Sequence, residues 1–229
     1  MSPESQSERK ARARKIISKL KQAYPDSACS LAHKNVYQLM VSTILSAQCT
    51  DERVNMVTPS LFKRFPTPQK MAGAKQEELE ELIRTTGFFR NKAKSIKNNA
   101  MQLLENHGGE IPRTLDELTK LPGVGRKTGS VVLGAGFSLA EGVVVDTHVV
   151  RIAQLLKLTA QKTPEKIERD LMEILPKKDW IIWTHLIIDH GRAICIARRP
   201  RCPECVLNRL CPSALTPPVT RRKKSPAKA

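Results

Sequence analysis

The sequence predicts an all-α fold. Strand signals are scarce: aromatic residues make up only 4% of the chain and alternating apolar–polar runs are few. Amphipathic segments of Lys, Glu, Leu and Ala recur instead, and Gly- or Pro-containing turns separate them.

Helical periodicity covers 8–23, 33–47, 51–64, 76–84, 89–107, 115–120, 126–137, 146–157, 164–175 and 178–194. Tyr24-Pro25-Asp26-Ser27 closes the first segment, and Phe65-Pro66-Thr67-Pro68 separates the third from the fourth. His107-Gly108-Gly109 ends the fifth, and Leu121-Pro122-Gly123 joins the sixth to the seventh. Thr163 and Glu165 open the segment at 164, where Pro164 suits a first helical turn. No repeat with a solenoid period is present.

A chain of 229 residues can build one large core or two modest ones without disulfide stapling. Thirty-nine Lys and Arg against 22 Asp and Glu give a formal charge of +17, which favours a polyanionic partner such as nucleic acid. Residues 1–22 carry seven basic and two acidic groups, and 216–229 carry five basic and none acidic. Such ends are also compatible with solvated tails, and disorder is expected at both. The remaining body is still basic. No run approaches the roughly 18 apolar residues of a membrane span, and MSPESQSERKARARK has no apolar signal-peptide core. The expectation is a cytoplasmic protein without a membrane partner.

Six cysteines in a reducing compartment do not suggest a disulfide framework. Four of them, Cys195-x6-Cys202-x2-Cys205-x5-Cys211, crowd within 17 residues and read as metal ligands. Structural zinc sites favour two close pairs, and only Cys202 and Cys205 form one, so spacing leaves zinc and an iron–sulfur cluster both open. Cys29 and Cys49 have no such spacing and read as ordinary thiols.

Leu121-Pro122-Gly123-Val124-Gly125 separates two helical segments, and its glycines permit positive φ and close backbone approach. It is compatible with a plain helix-joining turn. The helix beginning near Arg126 would also offer free N–H groups to a DNA phosphate, anchoring the backbone without reading sequence. Lys127 lies in that helix's first turn. A lysine there is ordinarily surface charge, but the positive helix end and neighbouring Arg126 both disfavour a second cation, which suits an amine that must attack carbon. Val143-Val144-Val145 leads to Asp146, a good N-cap that could equally take up a proton or stabilise positive charge on a sugar.

LPGVGRKTGSVVL (121–133) followed by VVVDTHVVR (143–151) resembles the helix-hairpin-helix and Gly/Pro…Asp signature of the endonuclease III family. The x6, x2, x5 cysteine spacing after LIIDHGRAICIARRPRC (186–202) resembles the [4Fe-4S] segment of the same family. The resemblance spans about residues 30–215. It implies attack by Lys127 on C1′ of a damaged nucleotide, assistance by Asp146, and a Schiff base that cleaves the strand by β-elimination. It also implies a [4Fe-4S] cluster on Cys195, Cys202, Cys205 and Cys211, for which a structural role is expected because glycosidic hydrolysis and elimination need no electron transfer.

Further roles follow from the same resemblance. Leu45-Ser46-Ala47-Gln48 resembles the loop whose glutamine fills the gap left by a flipped base, which assigns Gln48. Gly87-Phe88-Phe89-Arg90 matches the loop that wedges the opposite strand, assigning Phe88 where relatives commonly have leucine, while Phe89 packs inside. DNA contacts are further expected at Gly123, Gly125, Arg126, His148 and Arg192. Relatives more often have Ala and Asn where this chain has Gly129 and Ser130, and Gly129 should weaken its helix by up to about 1 kcal/mol relative to Ala.

The implied protein is a bifunctional glycosylase and abasic-site lyase, acting as a monomer on double-stranded DNA that contains an oxidised or ring-saturated pyrimidine or an abasic site. Its two-lobed fold would comprise a helix-hairpin-helix domain of 31–140 and a cluster domain of 141–215. The segment 1–30 would pack on the latter, and 216–229 would form a disordered basic tail. Lys127 and the short C-terminal stretch disfavour an adenine-mismatch glycosylase. Lys127 together with Asp146 disfavours a noncatalytic DNA-binding scaffold.

Overall fold

The computed structural model describes residues 4–214, and every regular element among them is helical. The basic tail expected over 216–229 lies outside the described residues. Two apolar cores organise the chain.

The first core is built around α2 (Val36–Leu45), nearly all of whose residues are buried. Such a helix needs no polar face, because α3 (Asp51–Arg64), α6 (Phe89–His107) and α8 (Arg126–Val131) surround it. Thr50 caps α3, with Asp51 and Glu52 in its first turn and Lys63 and Arg64 in its last, matching both ends of the helix dipole. Two shorter helices, α4 (Pro68–Ala72) and α5 (Gln76–Ile83), lie against α6, and α7 (Leu115–Lys120) lies against α8.

The second core joins distant parts of the chain. α1 (Gln6–Ala23) begins with a capping box in which Ser5 and Glu8 exchange side-chain-to-backbone hydrogen bonds. Its stripe of Ala13, Ile16, Ile17 and Leu20 is buried against α10 (Pro164–Ile174) and α11 (Trp180–Ala193), and α9 (Thr147–Leu155) packs on α11. Arg12 ties α1 to the cysteine loop, donating to the carbonyls of Leu156 (2.7 Å) and Leu210 (3.3 Å) while gripping Glu4. Among the described residues, no helix is long and apolar enough to cross a membrane.

Local differences from the expected helices have local causes. The segment expected at 33–47 is helical only over Val36–Leu45, because Asn35 caps its start and a turn begins at Ser46. α4 was not expected; five residues are too few to show periodicity, although Thr67 caps it and Pro68 opens it. The segment expected over 126–137 changes at Val132 into a π-helical turn, Val132–Gly136. Gly136 there lies so close to Val36 that a Cβ would meet Cγ1 at 2.7 Å.

Candidate active site and cysteine loop

The hairpin between α7 and α8 is held from below, where Asn99 Nδ2 donates to the Pro122 carbonyl (3.1 Å). Gly123 has φ +79°, and a Cβ on it would stand 3.0 Å from Ser95 Cβ and 3.1 Å from Ile44 Cγ2. Glycine is therefore favoured by conformation and by space. Gly125 differs: its φ is −85° and nothing lies within 4 Å of where a Cβ would stand. No side chain caps α8, which leaves its first N–H groups without a side-chain acceptor.

Gly129 is more than a weak helix former. It is buried where α8 crosses α7, and a Cβ there would meet Leu115 Cδ1 at 2.7 Å. The helical penalty expected of glycine is accompanied by a packing reason for its presence.

Lys127 is exposed in the first turn of α8. It lines a cavity with Arg126, Ser130, Val143, Val144, Val145 and Glu168. The extended run 143–145 thus passes beside the lysine and delivers Asp146 as the N-cap of α9, where its Oδ1 accepts from Val149 N–H at 2.8 Å. Capping fixes the carboxylate at the end of that run.

Glu168 was missed by the sequence, in which it is one of several acids on α10. Its carboxylate occupies the space left by Gly142, which has no Cβ to exclude it, and pairs with Arg126 (Nη2 to Oε1, 3.2 Å). Arg126 is consequently not an isolated cation beside Lys127. His148 turns its ring onto Gly191 of α11, and its Nδ1 is buried without a hydrogen-bond partner. Much of this side chain belongs to the α9–α11 packing.

Gln48 and Phe88 share an unusual backbone. Both are exposed, with φ of 52° and 48°, in the left-handed region that non-glycine residues seldom adopt. Next to Phe88, the buried Lys92 donates from Nζ to the Thr86 carbonyl (2.7 Å), and Lys92 N–H donates to the Phe88 carbonyl (3.0 Å). Burial lowers the pKa of the Lys92 amine. The Phe88 ring is 64% exposed, while Phe89 packs on the first core as expected. Cys29 and Cys49 also pack there as ordinary thiols.

Arg192 on α11 reaches Asp51 on α3 (3.2 Å), and Asp51 also accepts from Ser30 Oγ. His185 lines a second cavity with Ser130, Val144 and Thr184. Burial pushes its imidazole below the ordinary range, and the carboxylates of Asp189, Asp146 and Asp51 pull it back up. No motif in the sequence singled out His185.

Cys195, Cys202, Cys205 and Cys211 line one mostly apolar cavity with Ile152, Leu155 and His190. Among the described residues, no three potential ligands converge closely enough to hold a single metal ion. A four-iron cluster makes a different demand, because each iron takes one cysteine and the thiols stand around a larger core. The donor set fits thiolates: Leu207 N–H points at Cys205 Sγ (3.4 Å), and Arg151 Nη1 lies 3.6 Å from Cys195 Sγ. Burial pushes the Cys205 and Cys211 thiols up, as do the neighbouring cysteines, while the backbone N–H groups of Leu207 and Ser213 favour the thiolates, as a bound cation would.

The model of a family described as "HhH-GPD superfamily base excision DNA repair protein" matches residues 41–177. Endonuclease III of Synechocystis sp. is 52% identical over 206 residues, covering 90% of this chain and 94% of that protein. Endonuclease III of Bacillus subtilis is 42% identical over 196 residues, covering 85% and 89%. A solved structure of a trapped endonuclease III–DNA covalent intermediate superposes with a TM-score of 0.84 at 41% identity, covering 90% of this chain and 96% of that one.

Proposed function

The chain belongs to the HhH-GPD superfamily of base excision DNA repair proteins, and we propose that it acts as an endonuclease III, excising a damaged base from duplex DNA and cleaving the strand at the abasic site. The observation that carries the residue assignment is the cavity where exposed Lys127 lies beside Val143, Val144 and Val145, the run that leads to Asp146 at the start of α9.

The amine of Lys127 forms a bond to C1′ as the bond from C1′ to the base breaks. Asp146 receives the proton released by the amine, and the departing base takes up a proton from the site or solvent. Opening of the sugar ring leaves a protonated imine between Lys127 and C1′. Loss of a C2′ proton then expels the 3′ phosphate, cleaving the strand, and water releases the sugar fragment from the lysine.

The hairpin supports phosphate anchoring through the open N–H groups beside Gly125. Gln48 would fill the vacancy left by the flipped base, and Phe88 would wedge the opposite strand. Arg126 and Arg192 would contact phosphates, with His148 supporting the cleft from α9. Oxidised or ring-saturated pyrimidines are the proposed targets. The two cores support lobes of 31–140 and 141–215, with the N-terminal helix joining the latter. We place the activity inside the cell, where DNA is found.

Cys195, Cys202, Cys205 and Cys211 would hold a [4Fe-4S] cluster. When bound, it cross-links the loop after α11, shaping the basic surface that includes Arg198 and Arg199.

The test is borohydride trapping on duplex DNA containing one oxidised pyrimidine. The wild-type protein should form a covalent adduct, and Lys127→Gln should bind the duplex without forming adduct or nicking it. Wild-type nicking by Lys127→Gln would remove the lysine from the mechanism.

A further inference from the structure

His190 is buried in the second core, 2% exposed, and joins two elements far apart in sequence. Its Nδ1 lies 3.0 Å from the hydroxyl of Tyr24, at the end of α1. Its Nε2 lies 3.5 Å from Sγ of Cys205. The Tyr24 and His190 rings meet edge to face, with centroids 5.9 Å apart.

We propose that Tyr24 and His190 form a hydrogen-bond relay that positions an N–H on the Cys205 sulfur and thereby raises the reduction potential of the cluster. This rests on the reading of Cys205 as a cluster ligand. A metal-bound thiolate can only accept a hydrogen bond, so His190 must present Nε2–H to it. The neutral ring then has a bare Nδ1, which can only accept, and the Tyr24 hydroxyl must donate to it. Iron binding at Cys205 therefore dictates the direction of both bonds. Without Tyr24, Nδ1 would lose its donor and the proton would be held on Nε2 by the sulfur alone.

Donors to sulfur stabilise the more negative, reduced form of a cluster and so raise its potential. Leu207 N–H already supplies one donor to Cys205 Sγ, at 3.4 Å. Arg151 supplies another at Cys195. The Tyr24–His190 pair adds a donor that originates on the N-terminal helix, tying the cluster's electronics to the docking of that helix. Neither Tyr24 nor His190 lines the lysine cavity, and both act on the cluster through Cys205, so they are positioning residues.

The experiment is voltammetry of the purified holoprotein, wild type against Tyr24→Phe, with iron content and charge-transfer absorbance measured on the same samples. Tyr24→Phe should keep its iron and its trapping yield while its midpoint potential shifts to more negative values. An unchanged potential in fully loaded Tyr24→Phe would overturn the relay and leave the cluster assignment standing. A wild-type protein that binds no iron would overturn both. Nitrogen NMR of the His190 ring in wild-type holoprotein needs no variant: a proton on Nε2 and a bare Nδ1 support the relay, and a proton on Nδ1 overturns it even if Tyr24→Phe fails to fold.

Discussion

Arg126 on α8 and Glu168 on α10, 42 positions apart in the chain, form a two-pronged ion pair between the two cores, with Nη2 3.2 Å from Oε1 and Nε 3.4 Å from Oε2. The glutamate is mostly buried and the arginine mostly exposed, so a shielded carboxylate holds a cation that solvent and solutes can reach. A DNA phosphate approaching α8 competes for that cation.

Glu168→Gln removes the competing charge with little change of shape. Affinity for undamaged duplex should rise several-fold, and the salt dependence should steepen by up to about one unit if Arg126 gains one phosphate. Titrations at several salt concentrations check this. An unchanged slope would mean that Arg126 stays paired to Glu168 on DNA.

The two hairpin glycines should respond differently to alanine. Gly123→Ala places a Cβ at φ +79° against Ser95 and Ile44, so it should destabilise the fold by about 1–3 kcal/mol. Gly125→Ala meets open space at φ −85°. Its unfolding midpoint should stay near wild type while duplex affinity falls, because the methyl group obstructs approach to the N–H groups of α8. Equal losses of stability would show that Gly125 serves the fold.

Phe88 carries a left-handed backbone at φ 48°, a conformation costing a side-chain-bearing residue about 1–2 kcal/mol. Phe88→Gly should relieve that strain and raise stability by about 0.5–1 kcal/mol, after allowance for glycine's own entropy. It should also cut excision of a paired lesion by about tenfold or more, with less effect on cleavage of a preformed abasic site. Chemical denaturation and single-turnover rates on the two substrates separate these effects.

The pH response of His185 has a defined sign. Burial depresses its folded-state pKa below the ordinary 6.5, so the unfolded chain takes up the proton more readily. The contribution is fully present above about pH 6.5 and is lost as pH falls below that value. His185→Gln should therefore lose less stability than wild type between neutral and mildly acidic pH. Parallel pH series of urea midpoints that never diverge would show no such linkage.

Helix positions, turns and the cysteine spacing were legible because each depends on residues close together in the chain. Period-3.6 stripes, the cap Asp146 and Pro164 at a helix start act over one or two turns. The five-residue α4 and the π-helical turn after Val131 escaped detection, the first because it is shorter than two helical turns and the second because its register depends on contact with Val36 and Ile181. Gln48 and Phe88 were found through resemblance, yet their shared positive φ becomes visible only in three dimensions.

An all-helical chain, a basic composition, Lys127 after a Gly-containing hairpin and four clustered cysteines are all written in the order of the residues. That Glu168 holds Arg126, that Asp51 holds Arg192 and that Tyr24 reaches Cys205 through His190 emerges on folding. The difference is one of range. Backbone periodicity and capping are satisfied within a few residues, whereas these side chains lie on separate helices and meet only after burial of two apolar cores has brought those helices together.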